Sequence, residues 1–416
     1  MSFAALWESL LPIGRDGLSG GYRRFSWTPE DVACRAWFTR AAAERGLRVL
    51  TDRNGNLWAW WDPPGLAPGA TGAPGVPGAR AVVTGSHLDS VPDGGPFDGP
   101  LGIVSAFAAV DLLRERGCLP VRPLGIVAFS EEEGARFGVA CLGSRLLTGA
   151  IDPAVARALP DAAGTSLAEA MAAAGHDPGD IGPDDDLLRA VGAYVELHIE
   201  QGRALADLDA AVGIGEQIWP HGRWRLDFTG RPDHAGTATL ADRRDPMLPF
   251  ATAVLAARQA AASHGALATV GKVTAEPGAV NAVSARVSAW LDARGPDEQV
   301  LQAVVGQVLA AAREAAAGHG VELAAEPESV TPAVEFDPGL RETVASSLAA
   351  QEIPAPVLPT GAGHDAGVLA ARLPTAMLFV RNPTGVSHSP AEHAEPADCA
   401  SGVLALAAVL EDLACR

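Results

Sequence analysis

Apolar residues along this chain follow two rhythms. Short apolar runs closed by polar or Gly/Pro-rich sequence mark buried strands at 81–83, 124–130, 191–200 and 377–380. Helical spacing is clearest at 31–45, where Val32, Ala36, Trp37 and the alanines 41–43 recur on one face. Thr28-Pro29 before it offers an N-cap and a proline at the first helical position. Residues 102–116 and 400–413 read as further helices, and 48–60 as a hairpin about Asn54-Gly55. The Pro/Gly/Ala-rich stretch 62–80 reads as a mobile surface loop.

The texture changes near residue 214. Strand patterns at 224–228, 268–274 and 287–293 are interleaved with helices at 246–263 and 298–317. This β-α-β-β-α order suits a small sheet with two helices on one face, inserted into a larger α/β domain. The expected division is 1–213 and 330–416 for the main domain and 214–329 for the insert.

With 416 residues, two domains are expected, and a 48% hydrophobic share supplies the core. No run approaches the ~18 apolar residues that span a bilayer, and the first residues lack a basic-then-apolar leader. A net charge of −19 and a pI near 4.9 argue against nucleic acid and membrane surfaces as partners. The five cysteines, Cys34, Cys118, Cys141, Cys399 and Cys415, form no CxxC pair and suit reduced thiols in a cytoplasm.

Chemistry concentrates where strands end. The first strand runs into His87-Leu-Asp89, with Asp98 nine residues further on in a Gly/Pro-rich loop. The second ends in Glu131-Glu132-Glu133, the third in His198-Ile-Glu200-Gln201, and the last leads to His388. The carboxyl ends of strands in open α/β sheets are where ligands bind. Histidine suits Zn²⁺, Mn²⁺ or Co²⁺, and the two oxygens of Asp98 suit a bridge between two cations. Asp89 is placed to hold the His87 imidazole through its second nitrogen. A di-metal hydrolase needs glutamate twice, as ligand and as general base. An acidic turn or a packed histidine explains each stretch singly, but not four strand ends together. In the insert, His234, Asn281 and Arg294 stand out; each alone is more often a surface or capping residue.

In order, the words GSHLDSVPDGGPFDGPLG, SEEEGARFG, ELHIEQG, HAGT, GAGHDAG and GVSHSPAEH resemble the M20 metallopeptidase superfamily. More narrowly, they are similar to its carbamoylase and ureidase branch: N-carbamoyl-L-amino acid hydrolases, β-ureidopropionases and allantoate amidohydrolases. The words span 85–393. The resemblance implies an α/β fold: a mixed-sheet, di-zinc exopeptidase-like catalytic domain with an inserted α+β, ferredoxin-like lid and dimerisation domain. It implies two divalent ions (Zn²⁺, Mn²⁺ or Co²⁺), one on His87, Asp98 and His198, the other on Asp98, Glu133 and His388. Glu132 would be the general base, supported by Asp89. The alternative register, Glu131–Glu132, is disfavoured because the family's pair directly precedes a Gly-Ala/Ser-Arg-Phe word, here Gly134 to Phe137.

The same resemblance has His234 and Asn281 reach the partner subunit's substrate in a homodimer. Arg294 binds its carboxylate, Gln201 faces the carbamoyl end, and His364 lies at the substrate. The implied reaction cleaves the ureido or carbamoyl C–N bond of a small carboxylate, releasing ammonia and CO₂. Two departures bear on substrate: Ala238-Thr239-Leu240 replaces Thr-Pro-Met, and Arg381-Asn382-Pro383 stands where Pro-Ser is frequent. Arg381 and Asn382 would add donors beside His388, which places allantoate ahead of N-carbamoyl-L-amino acids. The rival readings are a di-zinc exopeptidase of the same fold and a metal-binding scaffold without catalysis. HIEQG, with His198 where peptidases carry a carboxylate, speaks against the first. Glu132, which a structural metal site would not need, speaks against the second.

Overall fold

A computed structural model describes residues 2–65 and 80–416. Most of the 62–80 stretch, namely 66–79, lies outside the described residues. The chain divides into two compact units, 1–216 with 335–416, and 217–334.

Strands are numbered along the whole chain. The first unit is built on a mixed sheet of β1 (Arg48–Thr51), β2 (Leu57–Trp61), β3 (Ala81–His87), β4 (Leu124–Phe129), β5 (Val191–Ile199), β6 (Val212–Ile218), β13 (Val334–Glu335), β14 (Val357–Thr360) and β15 (Thr375–Val380). Their order is β1-β2-β4-β3-β5-β15-β6-β13, with β14 beside β6. The centre is parallel, β4, β3, β5 and β15, and the flanking β2 and β6 run antiparallel. Every residue of β3, β4 and β15 is buried. A parallel sheet is covered on both faces, which explains the apolar runs at 81–83, in β4 and in β15.

The helix Pro100–Glu115 carries the chain from β3 to β4, as parallel neighbours require. Phe107 packs from it against Phe38 of the helix Pro29–Glu44, ring centroids 5.1 Å apart. Truncating so buried a phenylalanine to alanine costs about 3–5 kcal/mol. Thr28 does occupy the N-cap position with Pro29 next, but its hydroxyl donates to the Phe25 carbonyl and caps nothing. The hairpin forms as expected, and Asp52 organises it by accepting from Asn54, Asn56 and Trp58. Because the central strands are parallel, β3, β4, β5 and β15 all deliver their carboxyl ends to one edge of the sheet. His87 closes β3, Ser130 follows β4, His198 is the penultimate residue of β5, and β15 leads toward His388.

The second unit is an antiparallel sheet ordered β12-β7-β11-β9, from β7 (His221–Thr229), β9 (Leu267–Glu276), β11 (Arg286–Arg294) and β12 (Glu322–Thr331). The short β8 (Asp233–His234) pairs with β10 (Ala282–Val283). Helices Met247–His264 and Glu298–Gly318 pack on its core of Leu226, Phe228, Val287, Leu291, Leu301, Val304 and Val308. The sequence pattern misses β12, because ELAAEPESVT is a polar edge strand interrupted by a proline. The helix Glu298–Gly318 forms where expected, and an 18-residue stretch of it has a mean hydropathy of 1.2, long and apolar enough to cross a membrane by length and composition. In this fold its stripe of Leu301, Val304, Val308 and Ala312 is instead buried in the unit's core.

Candidate metal centre

His87 is buried to 1% exposure at the end of β3. Its Nδ1 lies 3.1 Å from the Asp89 carbonyl oxygen and 3.5 Å from Asp89 Oδ1. The expected Asp89 carboxylate–imidazole bond is therefore replaced at hydrogen-bond distance by the main-chain oxygen. Asp89's carboxylate instead accepts the main-chain N–H groups of Glu132 at 3.2 Å and Glu133 at 3.1 Å. One residue thereby orients the imidazole and fixes the acidic turn after β4. His198 is held in the same way: its Nδ1 lies 2.9 Å from the Ile199 carbonyl, which leaves Nε2 to point inward.

Asp98 is the hub. Its Oδ1 lies 3.2 Å from His198 Nε2 and 3.6 Å from His87 Nε2, and its Oδ2 lies 3.4 Å from His388 Nε2. His388 Nε2 is also 3.6 Å from Glu133 Oε2. Burial pushes the Asp98 carboxyl up, but bonds from the three imidazoles outweigh it and hold the group well below the usual carboxylate range. His388, half exposed at 51%, is raised to about 9, chiefly by its bond to Asp98. Gly99 is required here: its φ is +82°, and a Cβ would lie 2.4 Å from the His87 ring.

The three glutamates take three different positions. Glu131 turns away, accepting main-chain N–H groups from Arg136 and Phe137. Glu133 joins Asp98 and His388, and burial lifts its carboxyl to about 7. Glu132 places Oε2 3.6 Å from His87 Nε2, and its other oxygen accepts from the Cys141 thiol at 3.3 Å. Burial raises Glu132 well above the usual carboxylate value, with His87 opposing and the Asp365 charge adding.

Gln201 is brought in: its Nε2 donates to Asp98 Oδ2 at 2.7 Å and lies 3.4 Å from His388 Nε2. Its Oε1 is buried with no hydrogen-bond partner among the described residues. His364 lies behind His198, ring centroids 4.5 Å apart, and burial with the His198 charge holds it well below the ordinary histidine value. Arg381 and Asn382 do not serve as expected. Arg381 forks onto both Asp398 oxygens at 2.8 Å, and Asn382 is fully buried, closing its own turn through Val386, Thr384 and Gly385. A guanidinium facing a buried carboxylate is drawn to it before any solute, so neither residue offers donors beside His388.

Three further buried groups shape the site. Glu392 Oε1 accepts the N–H groups of Phe97 and Asp98, each at 2.9 Å. Glu196 accepts from Ser86 at 2.8 Å and from the Ala366 N–H at 3.0 Å, fixing the strand ends behind His87 and His198. Cys141 is the third. Glu392 stood in the GVSHSPAEH word, and a polar residue in a mostly buried strand signalled Glu196; nothing local signalled Cys141.

In the second unit, His234 of β8 pairs with Ala282, and the Asn281 carbonyl accepts the Ala235 N–H at 3.0 Å, so the two exposed residues are neighbours. Arg294 is not with them. It ends β11, where its Nε donates to Asp292 at 3.1 Å and it lines, with Arg258, a cleft of about 590 Å³.

The donors fit divalent cations. Among the described residues, three groups lie within 4.8 Å reach: His87, Asp98 and His198; Asp98, Glu133 and His388; and Glu196, His198 and His364. His87 Nε2 and Glu133 Oε1 are buried without hydrogen-bond partners among the described residues, a costly state for polar atoms unless a cation satisfies them. Imidazole and carboxylate without thiolate suit Zn²⁺, Mn²⁺ or Co²⁺. In the third group both Glu196 oxygens already accept hydrogen bonds, which leaves the first two as the candidate cradles.

Comparison with known proteins identifies the family. The family model described as Peptidase family M20/M25/M40 matches residues 83–412. The chain is 36% identical over 404 residues to an N-carbamoyl-L-amino acid amidohydrolase of Geobacillus stearothermophilus, covering 95% of each chain. It is 32% identical to an allantoate amidohydrolase of Escherichia coli (strain K12), covering 95% of this chain and 94% of that one. The crystal structure of a hydantoinase/carbamoylase family amidase from Burkholderia ambifaria superimposes with a TM-score of 0.83 at 32% identity, over 100% of this chain and 98% of that one.

Proposed function

We infer the activity from a plain premise: this chain belongs to the M20/M25/M40 peptidase family. Within it the chain is a hydrolase of the metal-dependent amidohydrolase type. We propose that its substrate is a small carboxylate bearing a ureido or carbamoyl group, and that hydrolysis of that C–N bond releases ammonia and CO₂.

The observation that carries this reading is Glu132. It is a buried carboxylate 3.6 Å from His87 Nε2 that belongs to neither cradle. A site that merely stored cations would gain nothing from it. Two divalent ions, when bound, supply Lewis-acid polarisation of a carbonyl and a more acidic water. We assign the first to His87, Asp98 and His198 and the second to Asp98, Glu133 and His388. Glu132 takes the proton from the attacking water and returns it to the leaving nitrogen, a transfer favoured by a carboxyl whose basicity burial has raised. Asp89 keeps that carboxylate in place through the main chain. Gln201 offers an unpartnered amide oxygen to the terminal nitrogen of the carbamoyl group.

Arg294 reads the substrate carboxylate with its planar fork. In a homodimer, His234 and Asn281 serve the partner's site. Mixing inactive His234→Ala with inactive Glu132→Gln then restores activity on subunit exchange, and no recovery counts against sharing. All five cysteines are free, which supports a reducing, cytoplasmic compartment. With Arg381 and Asn382 engaged elsewhere, the ranking of allantoate first loses its support, and the proposal is the ureido/carbamoyl class.

The test is one panel: ammonia release from allantoate and N-carbamoyl-L-amino acids, with amine release from dipeptides, on chelated protein with and without Mn²⁺. Turnover of a ureido substrate only in the presence of metal is the expected result. Dipeptide cleavage exceeding it would shift the reading to an exopeptidase, and activity in demonstrably metal-free protein would remove the metal centre.

A further inference from the structure

The turn after β4 is closed on itself by the main chain. Gly143 N–H donates to the Ser130 carbonyl at 2.9 Å, Leu142 N–H to Glu131 at 2.9 Å, and Cys141 N–H to Glu132 at 2.6 Å. Gly134 makes the turn possible: its φ is +62° and a Cβ would lie 2.6 Å from the Ala140 nitrogen. The last bond sets Cys141 and Glu132 side by side, and their side chains meet there too, Sγ to Oε1 at 3.3 Å. Both residues are buried, Cys141 at 4% and Glu132 at 6% exposure.

Cys141 holds this place at a backbone cost. Its φ and ψ are +55° and +36°, the left-handed region, which costs a non-glycine residue about 1–2 kcal/mol. Glycine or asparagine would be the ordinary occupant. A side chain is retained in a conformation that disfavours one, and its only polar atom points at the carboxylate proposed as general base.

We propose that Cys141 is a positioning residue: its S–H donates to Glu132 Oε1 and so directs Oε2 toward the reacting water. A carboxylate rotating about its last bond presents either oxygen; a donor on one of them selects the other. Burial and the neighbouring carboxylates keep the thiol protonated, as a donor must be. The inference rests on the assignment of Glu132 as base.

The experiment compares Cys141→Ala, Cys141→Gly and Cys141→Ser in metal-loaded enzyme, alone and in the Glu132→Gln background. Alanine and glycine should lower kcat about five- to tenfold, the scale of one ordinary hydrogen bond, with KM and bound metal unchanged. Glycine relieves the strained φ, so its melting temperature should equal or exceed the parent's, which separates lost positioning from lost folding. Serine keeps a donor and should recover most of kcat. In Glu132→Gln, removing the thiol should cost nothing further. Parental kcat in the alanine variant, or serine as slow as alanine, overturns the positioning role while Glu132→Gln remains inactive. Near-parental activity of Glu132→Gln overturns the base assignment itself, and the Cys141 inference with it.

Discussion

Glu392 Oε1 accepts the main-chain N–H of Asp98 at 2.9 Å, across 294 positions of sequence. The same oxygen takes the Phe97 N–H, so one carboxylate anchors the loop that presents the residue shared by both cradles. Both donors are buried, and leaving them unpaired costs about 1–3 kcal/mol each. Glu392→Ala should therefore weaken metal binding by roughly 10–100-fold, the usual scale for outer partners of a metal site, as read by chelator competition. Glu392→Gln keeps an acceptor and should lose much less. Equal affinity in the alanine variant would show that the Asp98 loop holds without this anchor.

The three glutamates give a separable set. Glu132→Gln should keep its metals and lose at least ~10²-fold in kcat, the scale of a missing general base. Glu133→Gln should lower metal content instead. Glu131→Gln should do neither: one carboxylate oxygen accepts both main-chain N–H groups in the turn, the amide keeps that acceptor, and the melting temperature should change little. Metal analysis, kinetics and thermal melts on the three proteins distinguish the roles. If Glu131→Gln loses metal or kcat as Glu132→Gln was expected to, the register is shifted by one.

What the sequence made legible follows from what is local. Parallel strands buried on both faces are rich in apolar residues, so β3, β4, β5 and β15 stood out, and the residues at their carboxyl ends came with them. The register of Glu131 to Glu133 came from the resemblance, whose glutamate pair precedes a Gly-Ala/Ser-Arg-Phe word, here Gly134 to Phe137; Glu131 accepts main-chain N–H groups within the turn. Glu392 and Glu196 were harder, because a carboxylate that binds main-chain N–H groups looks in sequence like any other acid. Arg381 was misread for a related reason. Its position beside the strand end suggested substrate, but Asp398, which claims it, belongs to the first turn of the helix Pro396–Ala414. Cys141 meets Glu132 only because three main-chain bonds close the turn, and nothing in its neighbours' identity announces that.

Protons and cations should compete for this site, with a defined sign. His388 is raised from 6.5 to about 9, chiefly by its bond to Asp98, and Glu133 from 4.5 to about 7, chiefly by burial. A histidine raised in the folded state contributes stability below pH 6.5 and loses it as pH rises through 9. A raised carboxylate is neutral and carries no penalty at low pH, and bears its full penalty above 7. Both trends weaken the metal-free fold as pH rises. Cation binding needs these groups deprotonated and offsets the loss. The gap in melting temperature between metal-loaded and chelated protein should therefore widen from pH 6 to pH 8.5. A constant or narrowing gap would contradict the placement of cations on His388 and Glu133.

Arg381 offers a check on substrate choice that does not depend on naming the substrate. Its guanidinium binds both oxygens of Asp398 at 2.8 Å, and the Asp398 side chain is only 4% exposed. Its third contact, to Asp209, reaches a fully solvated carboxylate and contributes little. Removing the arginine strands a buried carboxylate, which costs roughly 3 kcal/mol. In a chain of this size that is a fall in melting temperature of several degrees. The site edge itself is untouched, because Asn382 closes its turn through its own amide. Arg381→Ala should then melt earlier while keeping the ratio of kcat/KM for allantoate to that for N-carbamoyl-methionine within twofold of the parent. A tenfold change in that ratio, ~1.4 kcal/mol of transition-state preference, in protein that is still folded would mean that Arg381 leaves Asp398 to meet substrate. The donors beside His388 would then have to be counted again.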